Sequence, residues 1–348
     1  MSIRISVVIN AYKNNLFLPQ ALNSVLDQEF GGDFEILVLS PTPGFEASKP
    51  VLTKASDRGV RLETVSVPPG PAGLGLYRGV RASKGDVIAL LDDDDLWEEE
   101  KLARVDIAFR NPRVVYFHHS QTFVDEQNRE LSPLSVHRLI RHPASLLPSG
   151  MHFLVDASNP KTLARGRIFE PDFQNSSITI RKDALQPCLE ALHRVTRGED
   201  TFLYYCALAS RGTLEITTDR LTRYRIHYGG ITASGSGNTS RVERIERYVE
   251  YADGQQDRLQ LIREKVLESA IPEVASSLDS DQAFWATMRS VATGSSTRNE
   301  ASIRTRMLLG DAYARPRMRE MTAVGLGWLS AFMPGIAKVG FSTWRGIW

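Results

Sequence analysis

Residues 86 to 97 read Asp-Val-Ile-Ala-Leu-Leu-Asp-Asp-Asp-Asp-Leu-Trp, an apolar run that passes straight into consecutive aspartates, Asp92 to Asp95. The run before them predicts a strand buried on both faces. Adjacent carboxylates repel one another. At the end of a buried strand they destabilise the fold unless a cation or hydrogen-bond donors neutralise them. Carboxylate oxygens are hard ligands that suit Mg²⁺ or Mn²⁺, and a divalent cation there would attract phosphates.

The surrounding pattern says what kind of sheet carries that strand. Residues 3 to 9, Phe34 to Leu39, Arg61 to Val67 and Val114 to Phe117 are further strand candidates. Between them lie helical spacings: Leu18, Ala21, Leu22, Val25 and Leu26, then Leu102, Val105 and Phe109, with a stop at Pro112. Apolar strands alternating with helices predict a doubly wound, mostly parallel α/β sheet covered on both faces. Ligands of such sheets bind at the carboxyl ends of the strands, where the aspartate run falls. Trp97-Glu98-Glu99-Glu100 reads as the acidic first turn of the next helix. Further on, Asn175 to Arg181 and Leu214 to Thr217 predict strands, and Lys182 to about Arg194 and Thr201 to Ser210 predict helices.

These elements divide the chain into an α/β domain over residues 1–228, a Gly/Ser-rich linker or mobile loop at 229–240, and a helical C-terminal region at 241–348. A formal net charge of +1 gives no case for nucleic-acid binding. Cys188 and Cys206, the only cysteines, read as buried core thiols in a reducing, cytoplasmic compartment. Nothing near Met1 has the shape of a signal peptide. The tail, 321–348, has no acidic residue but carries Trp328, Trp344 and Trp348 behind several arginines. That composition fits a helix lying at the inner face of a membrane, or else packing on the domain or on a second copy in a homodimer.

Taken in order, Ser6-Val-Val-Ile-Asn-Ala-Tyr12, the Gly-rich middle, the segment Lys84 to Trp97, Asn175-Ser-Ser-Ile-Thr-Ile-Arg181 and Gly198-Glu199-Asp200 resemble the family 2 inverting glycosyltransferases over roughly residues 3 to 230. The resemblance implies the GT-A fold and transfer of a sugar from a nucleotide-diphosphate donor to a carbohydrate, lipid-linked or other acceptor hydroxyl. It places the family's Asp-x-Asp motif on Asp92-Asp93-Asp94. Asp94 would ligate Mn²⁺ or Mg²⁺, Asp92 would contact the ribose or the metal, and Asp93 would hold the variable position. Asp95 would orient nearby backbone. It implies Asp200 as general base beside Glu199, with His227 near the metal or phosphates. The donor is expected against Asn10, Tyr12, Ser40, Arg78, Asp92, Asp93 and Glu199.

Bland alternatives stand beside these roles. Glu199-Asp200 also reads as a helix cap with its first-turn carboxylates. His227, Arg78 and the pair His118-His119 also read as structural or solvated residues. The chain departs from the family where a uracil-reading acid is usual and Ser40-Pro41 stands instead. It departs again at Asn10, where Pro is usual, and at Leu76-Tyr77, where Arg-Asn is usual. The nucleotide base is therefore left open. Rival expectations are a sugar-phosphate nucleotidyltransferase and a non-catalytic nucleotide- or metal-binding module on the same fold.

Overall fold

The computed structural model describes residues 3–11, 16–42, 48–140, 143–227, 241–266, 272–295, 297–309 and 318–333. Its first half runs β1 (Ile5–Asn10), α1 (Leu18–Leu26), β2 (Phe34–Ser40), α2 (Lys49–Asp57), β3 (Arg61–Ser66), α3 (Ala72–Ala82), β4 (Val87–Asp92), β5 (Leu96–Trp97) and α4 (Lys101–Phe109). Next come β6 (Val114–Val124), α5 (Pro133–Ile140), β7 (His152–Asp156), α6 (Pro160–Gly166), β8 (Ile178–Arg181), α7 (Lys182–Leu185), α8 (Leu189–Leu192), α9 (Glu199–Ala209) and β9 (Thr213–Arg225). Four C-terminal helices follow among the described residues: α10 (Arg241–Lys265), α11 (Pro272–Thr293), α12 (Arg298–Leu309) and α13 (Met318–Phe332).

The strands form one mixed sheet in the order β3-β2-β1-β4-β8-β6-β9-β5, with β7 paired to β9. Strands β1 to β4 are mutually parallel, and β8 runs antiparallel between β4 and β6. Alternate residues of β1 feed different cores, as burial on both faces requires. Ile5, Val7 and Ile9 join α1, α2 and α4, whereas Val8 joins α3, α8 and α9. The second core continues into Leu259, Ile262, Val274 and Leu278, so α10 and α11 pack directly on the α/β layer.

Parallel register sets Asn10 of β1 opposite both Asp92 of β4 and Leu39 of β2. Asn10, Ser40 and Asp92 thus share the carboxyl edge of the sheet. The glycines of α3 bring that helix close. A Cβ on Gly79 would stand 2.9 Å from Val8 Cγ1, and one on Gly73 would collide with the Leu192 carbonyl.

Several local expectations change. Leu96-Trp97 is not a helix start but a short strand on β9, and α4 begins at Lys101 with no acid in its first turn. Glu98 instead pairs with Arg223 of β9, at 2.8 Å. The helix expected from Lys182 to Arg194 breaks into α7, a 3-10 turn at Gln186–Cys188 and α8, because Pro187 cannot supply the N–H of a continuous helix. β6 and β9 run well past their apolar cores, to Val124 and Arg225, through bulges near Ser120. Cys188 and Cys206 are not free thiols: both are buried, and they form a disulfide.

The described part of the tail, α13, packs on α11 and α12. Ala323 is fully buried there, and Trp328 Nε1 donates to Thr305 Oγ1 at 3.0 Å. Residues 334–348, with Trp344 and Trp348, lie outside the described residues, as does the expected linker 229–240. No helix among the described residues is long and apolar enough to cross a membrane.

Candidate active site

The aspartate run leaves the end of β4 as a tight turn, with Asp95 N–H donating to Asp92 O. Its members alternate: Asp93 and Asp95 point inward and are buried, while Asp92 and Asp94 are partly open. Asp95 is tied from three sides. It accepts from Gln174 Nε2, from Ser176 Oγ at 2.7 Å and from the Arg225 backbone N–H at 2.8 Å. Asp92 donates its N–H to Ser176 Oγ at 2.9 Å, and its Oδ1 lies 3.4 Å from Asn175 Nδ2. Burial and the three neighbouring aspartates push the Asp92 carboxyl well above the usual range, and burial and Asp94 do the same to Asp95. The repulsion expected from the sequence is thus offset on the inner side by donors, and remains on the outer side.

On that outer side Asp94 Oδ2 meets His227 Nε2 at 2.9 Å. The contact raises the imidazole's affinity for its proton. A carboxylate oxygen and an imidazole nitrogen, both partly open to solvent, suit Mn²⁺ and are compatible with Mg²⁺. Among the described residues no group of three or more His, Cys, Asp or Glu side chains has a metal-holding arrangement.

Arg225 holds this corner together. Its guanidinium lies 4.1 Å from the Phe17 ring centroid, donates to Asp94 O at 2.8 Å and reaches Gln20 Oε1 at 2.9 Å. Beneath it, the 3-10 turn Asn175–Ser177 rests on buried Trp97 and Lys101, both of which donate to Ser176 O at 3.0 Å. Burial holds the Lys101 amine well below its usual range. Lys101 also contacts His119, and His118 lies 3.0 Å from Phe173 O, so both histidines belong to the packed interior.

The second acidic pair opens α9. Gly198 precedes it with φ +74°, a left-handed turn that a side chain would strain. Asp200 Oδ2 accepts the Gln174 N–H at 3.2 Å, and Oδ1 accepts the Thr201 N–H at 2.7 Å. Burial lifts Asp200 above its usual range, against the pull of Arg258, and burial lifts Glu199 to about 7. Gln174 therefore touches both motifs: its backbone N–H binds Asp200 and its side chain binds Asp95. It does so at φ +72° and ψ 123°, a conformation that non-glycine residues hold only when their surroundings enforce it. Glu199 in turn lies close enough to Asp92 to raise it electrostatically.

The other expected donor residues that are described lie along the carboxyl edge of the sheet. Ser40 is buried, and its hydroxyl accepts the Thr42 N–H at 3.2 Å, so a turn already uses it. Arg78 is exposed and donates to Ser66 O at 2.7 Å at the end of β3. Asn10 lies in register beside Asp92. Tyr12 falls outside the described residues. Gln174, Ser176, Arg225 and Arg258 were given no role from the sequence. Only the position of Gln174 and Ser176 in and beside Asn175-Ser-Ser points to the first two.

Residues 6–147 match the family model described as glycosyl transferase family 2. An uncharacterized glycosyltransferase of Nostoc sp. is 26% identical over 247 residues, which make up 69% of this chain and 70% of that one. Among solved structures, S. aureus TarS 1–349 in complex with UDP-GlcNAc is similar with TM-score 0.57 and 13% identity, over 98% of this chain and 90% of that one. The longer S. aureus TarS is similar with TM-score 0.54 and 14% identity; the chain matches 55% of its length. At such identities the structural likeness is one of fold, and the fold is the GT-A-like arrangement of mostly parallel strands with C-terminal helices.

Proposed function

We propose that the chain is a family 2 glycosyltransferase, a reading supported by the family match over residues 6–147, and that it moves a sugar from a nucleotide-diphosphate donor to an acceptor hydroxyl by single displacement, with inversion. The observation that carries this reading is Gln174, which fastens Asp200 and Asp95 to one wall at the carboxyl edge of the sheet. Asp200 takes the proton of the acceptor hydroxyl. The acceptor oxygen forms a bond to the anomeric carbon, and the bond to the donor's diphosphate oxygen breaks, leaving with its electron pair. A carboxylate with a raised pKa is better matched to this proton than an ordinary aspartate. One displacement needs no protein nucleophile. Asp94 and His227, with Asp92 toward the donor, would hold the divalent cation, which when bound supplies charge neutralisation for the leaving diphosphate. Ser40, already engaged in its turn, offers no carboxylate to a uracil, so the base of the nucleotide is left to experiment.

Thermal shifts with UDP, GDP, dTDP, ADP and CDP, each with and without Mn²⁺, test the donor assignment. A nucleotide at about 100 times its dissociation constant stabilises by about 2.7 kcal/mol. At least one nucleotide should do so only with Mn²⁺, and Asp94→Ala should remove the metal-dependent part in calorimetry. No response to any nucleotide would defeat the proposal. The membrane expectation now rests on residues 334–348, since α13 is packed. Equal liposome sedimentation with and without those residues would sink it.

A further inference from the structure

Arg258 lies on the side of α10 that faces the Gly198–Asp200 turn, and only 4% of it is exposed. Its Nη1 donates to Gly198 O at 3.4 Å, its Nη2 donates to Gln255 Oε1, and its Nε is buried without a hydrogen bond among the described residues. Removing a guanidinium from water is costly unless opposite charge compensates it. The carboxylates that do so here are Glu199 and Asp200. Gly198 makes the approach feasible: a Cβ at that position would run into the guanidinium. The left-handed glycine, the acidic pair and the buried arginine are therefore parts of one contact between the C-terminal helices and the α/β layer.

We propose that Arg258 is a positioning residue for sugar transfer, holding the Gly198–Asp200 turn so that the Asp200 carboxylate is presented to the acceptor hydroxyl. The inference rests on Asp200 being the base. The groups facing Asp200 are Arg258 and Tyr251 from α10, Asp172 from the loop before Gln174, Tyr116 from β6 and Glu199 from its own turn. Burial raises the Asp200 carboxyl, Arg258 opposes that most strongly, and Asp172 adds to the rise. Without the guanidinium, Asp200 should hold its proton to higher pH.

Carbon-13 NMR of the full chain labelled at the aspartate carboxyls reads this without any knowledge of the donor, Asp200→Asn identifying the resonance. In Arg258→Gln the Asp200 titration midpoint should move to higher pH, and in Arg258→Lys it should return most of the way. A contact that merely glues α10 in place would lower the melting temperature and leave the midpoint where it was, and that result would overturn the proposal. If Arg258→Gln does not fold, Gly198→Ala, whose Cβ displaces the guanidinium, should give the same upward shift, and an unmoved midpoint there would overturn it equally. The base assignment fails by a different result, undiminished transfer in Asp200→Asn, so the two are separable.

Discussion

Asp92 to Asp95 are chemically identical and structurally unequal. The alternation that turns Asp93 and Asp95 inward and leaves Asp92 and Asp94 open follows from a strand ending in a tight turn, and was in part legible from the sequence. The partners that make Asp95 tolerable were not. Gln174, Ser176 and the Arg225 amide come from distant points in the chain. At Asp200 the consequence is direct: removing the base while keeping the shape, as in Asp200→Asn, should lower transfer by about 10²–10⁴-fold with nucleotide binding retained. Steady-state rates beside calorimetry check it, and wild-type turnover would refute the role. Glu199 makes a separate prediction. Its carboxyl is raised from 4.5 to about 7 in the fold, so the folded chain binds that proton more tightly than the unfolded one. Its contribution to stability is complete below about 4.5 and is lost as pH rises through 7. The loss is on the order of 3 kcal/mol. Urea unfolding between pH 5 and 8 should show this fall, and Glu199→Gln should flatten it.

At the scale of elements, the parallel strands β1, β2 and β4 were readable because burial on both faces writes itself as unbroken apolar runs, and the edge strand β3 was readable from its alternation. The antiparallel β8 was read whole, with Asn175–Ser177 added although these form a 3-10 turn, whereas β6 and β9 were read only at their apolar centres because their outer residues are mostly polar. Trp97-Glu-Glu-Glu misled for a similar reason: local charge favoured a helix start, while pairing of Leu96-Trp97 with Arg223 and Thr222 fixed a strand. Helix α3 gives the element-scale prediction. Its glycines read from the sequence as a family feature, and in the fold they are points of close approach. Gly73 donates its N–H to Val195 O at 2.9 Å, and any side chain on it meets the Leu192 backbone. Backbone cannot move aside as a flexible side chain can. Gly73→Ala should therefore destabilise by about 1–3 kcal/mol, a typical overpacking cost. Gly31→Ala, where a Cβ meets nothing within 4 Å, is the matched control. Equal unfolding midpoints for the two variants would contradict the packing described.

Over the whole molecule, the C-terminal helices are joined to the α/β layer by more than apolar packing. Arg167 Nη2 meets Asp281 Oδ1 of α11 at 3.1 Å, and Tyr205 of α9 donates to Asp281 Oδ2 at 2.9 Å. All three side chains are buried. The helical character of the described C-terminal residues was legible from composition, but their attachment was not, since an aspartate in a charged helix carries no mark of the arginine it will meet 114 residues away. A buried pair adds little net stability over an apolar substitute, yet removing one partner strands the other charge. Asp281→Ala should therefore cost about 3–5 kcal/mol. Because α11 and α10 pack together and α10 carries Arg258, that loss should also reach the base turn. If the helices instead formed an independent unit, Asp281→Ala would lower the transition of that unit alone and leave nucleotide binding and the Asp200 titration unchanged. One cooperative transition at a lower urea midpoint, with an altered Asp200 titration, is the result expected of a single coupled body.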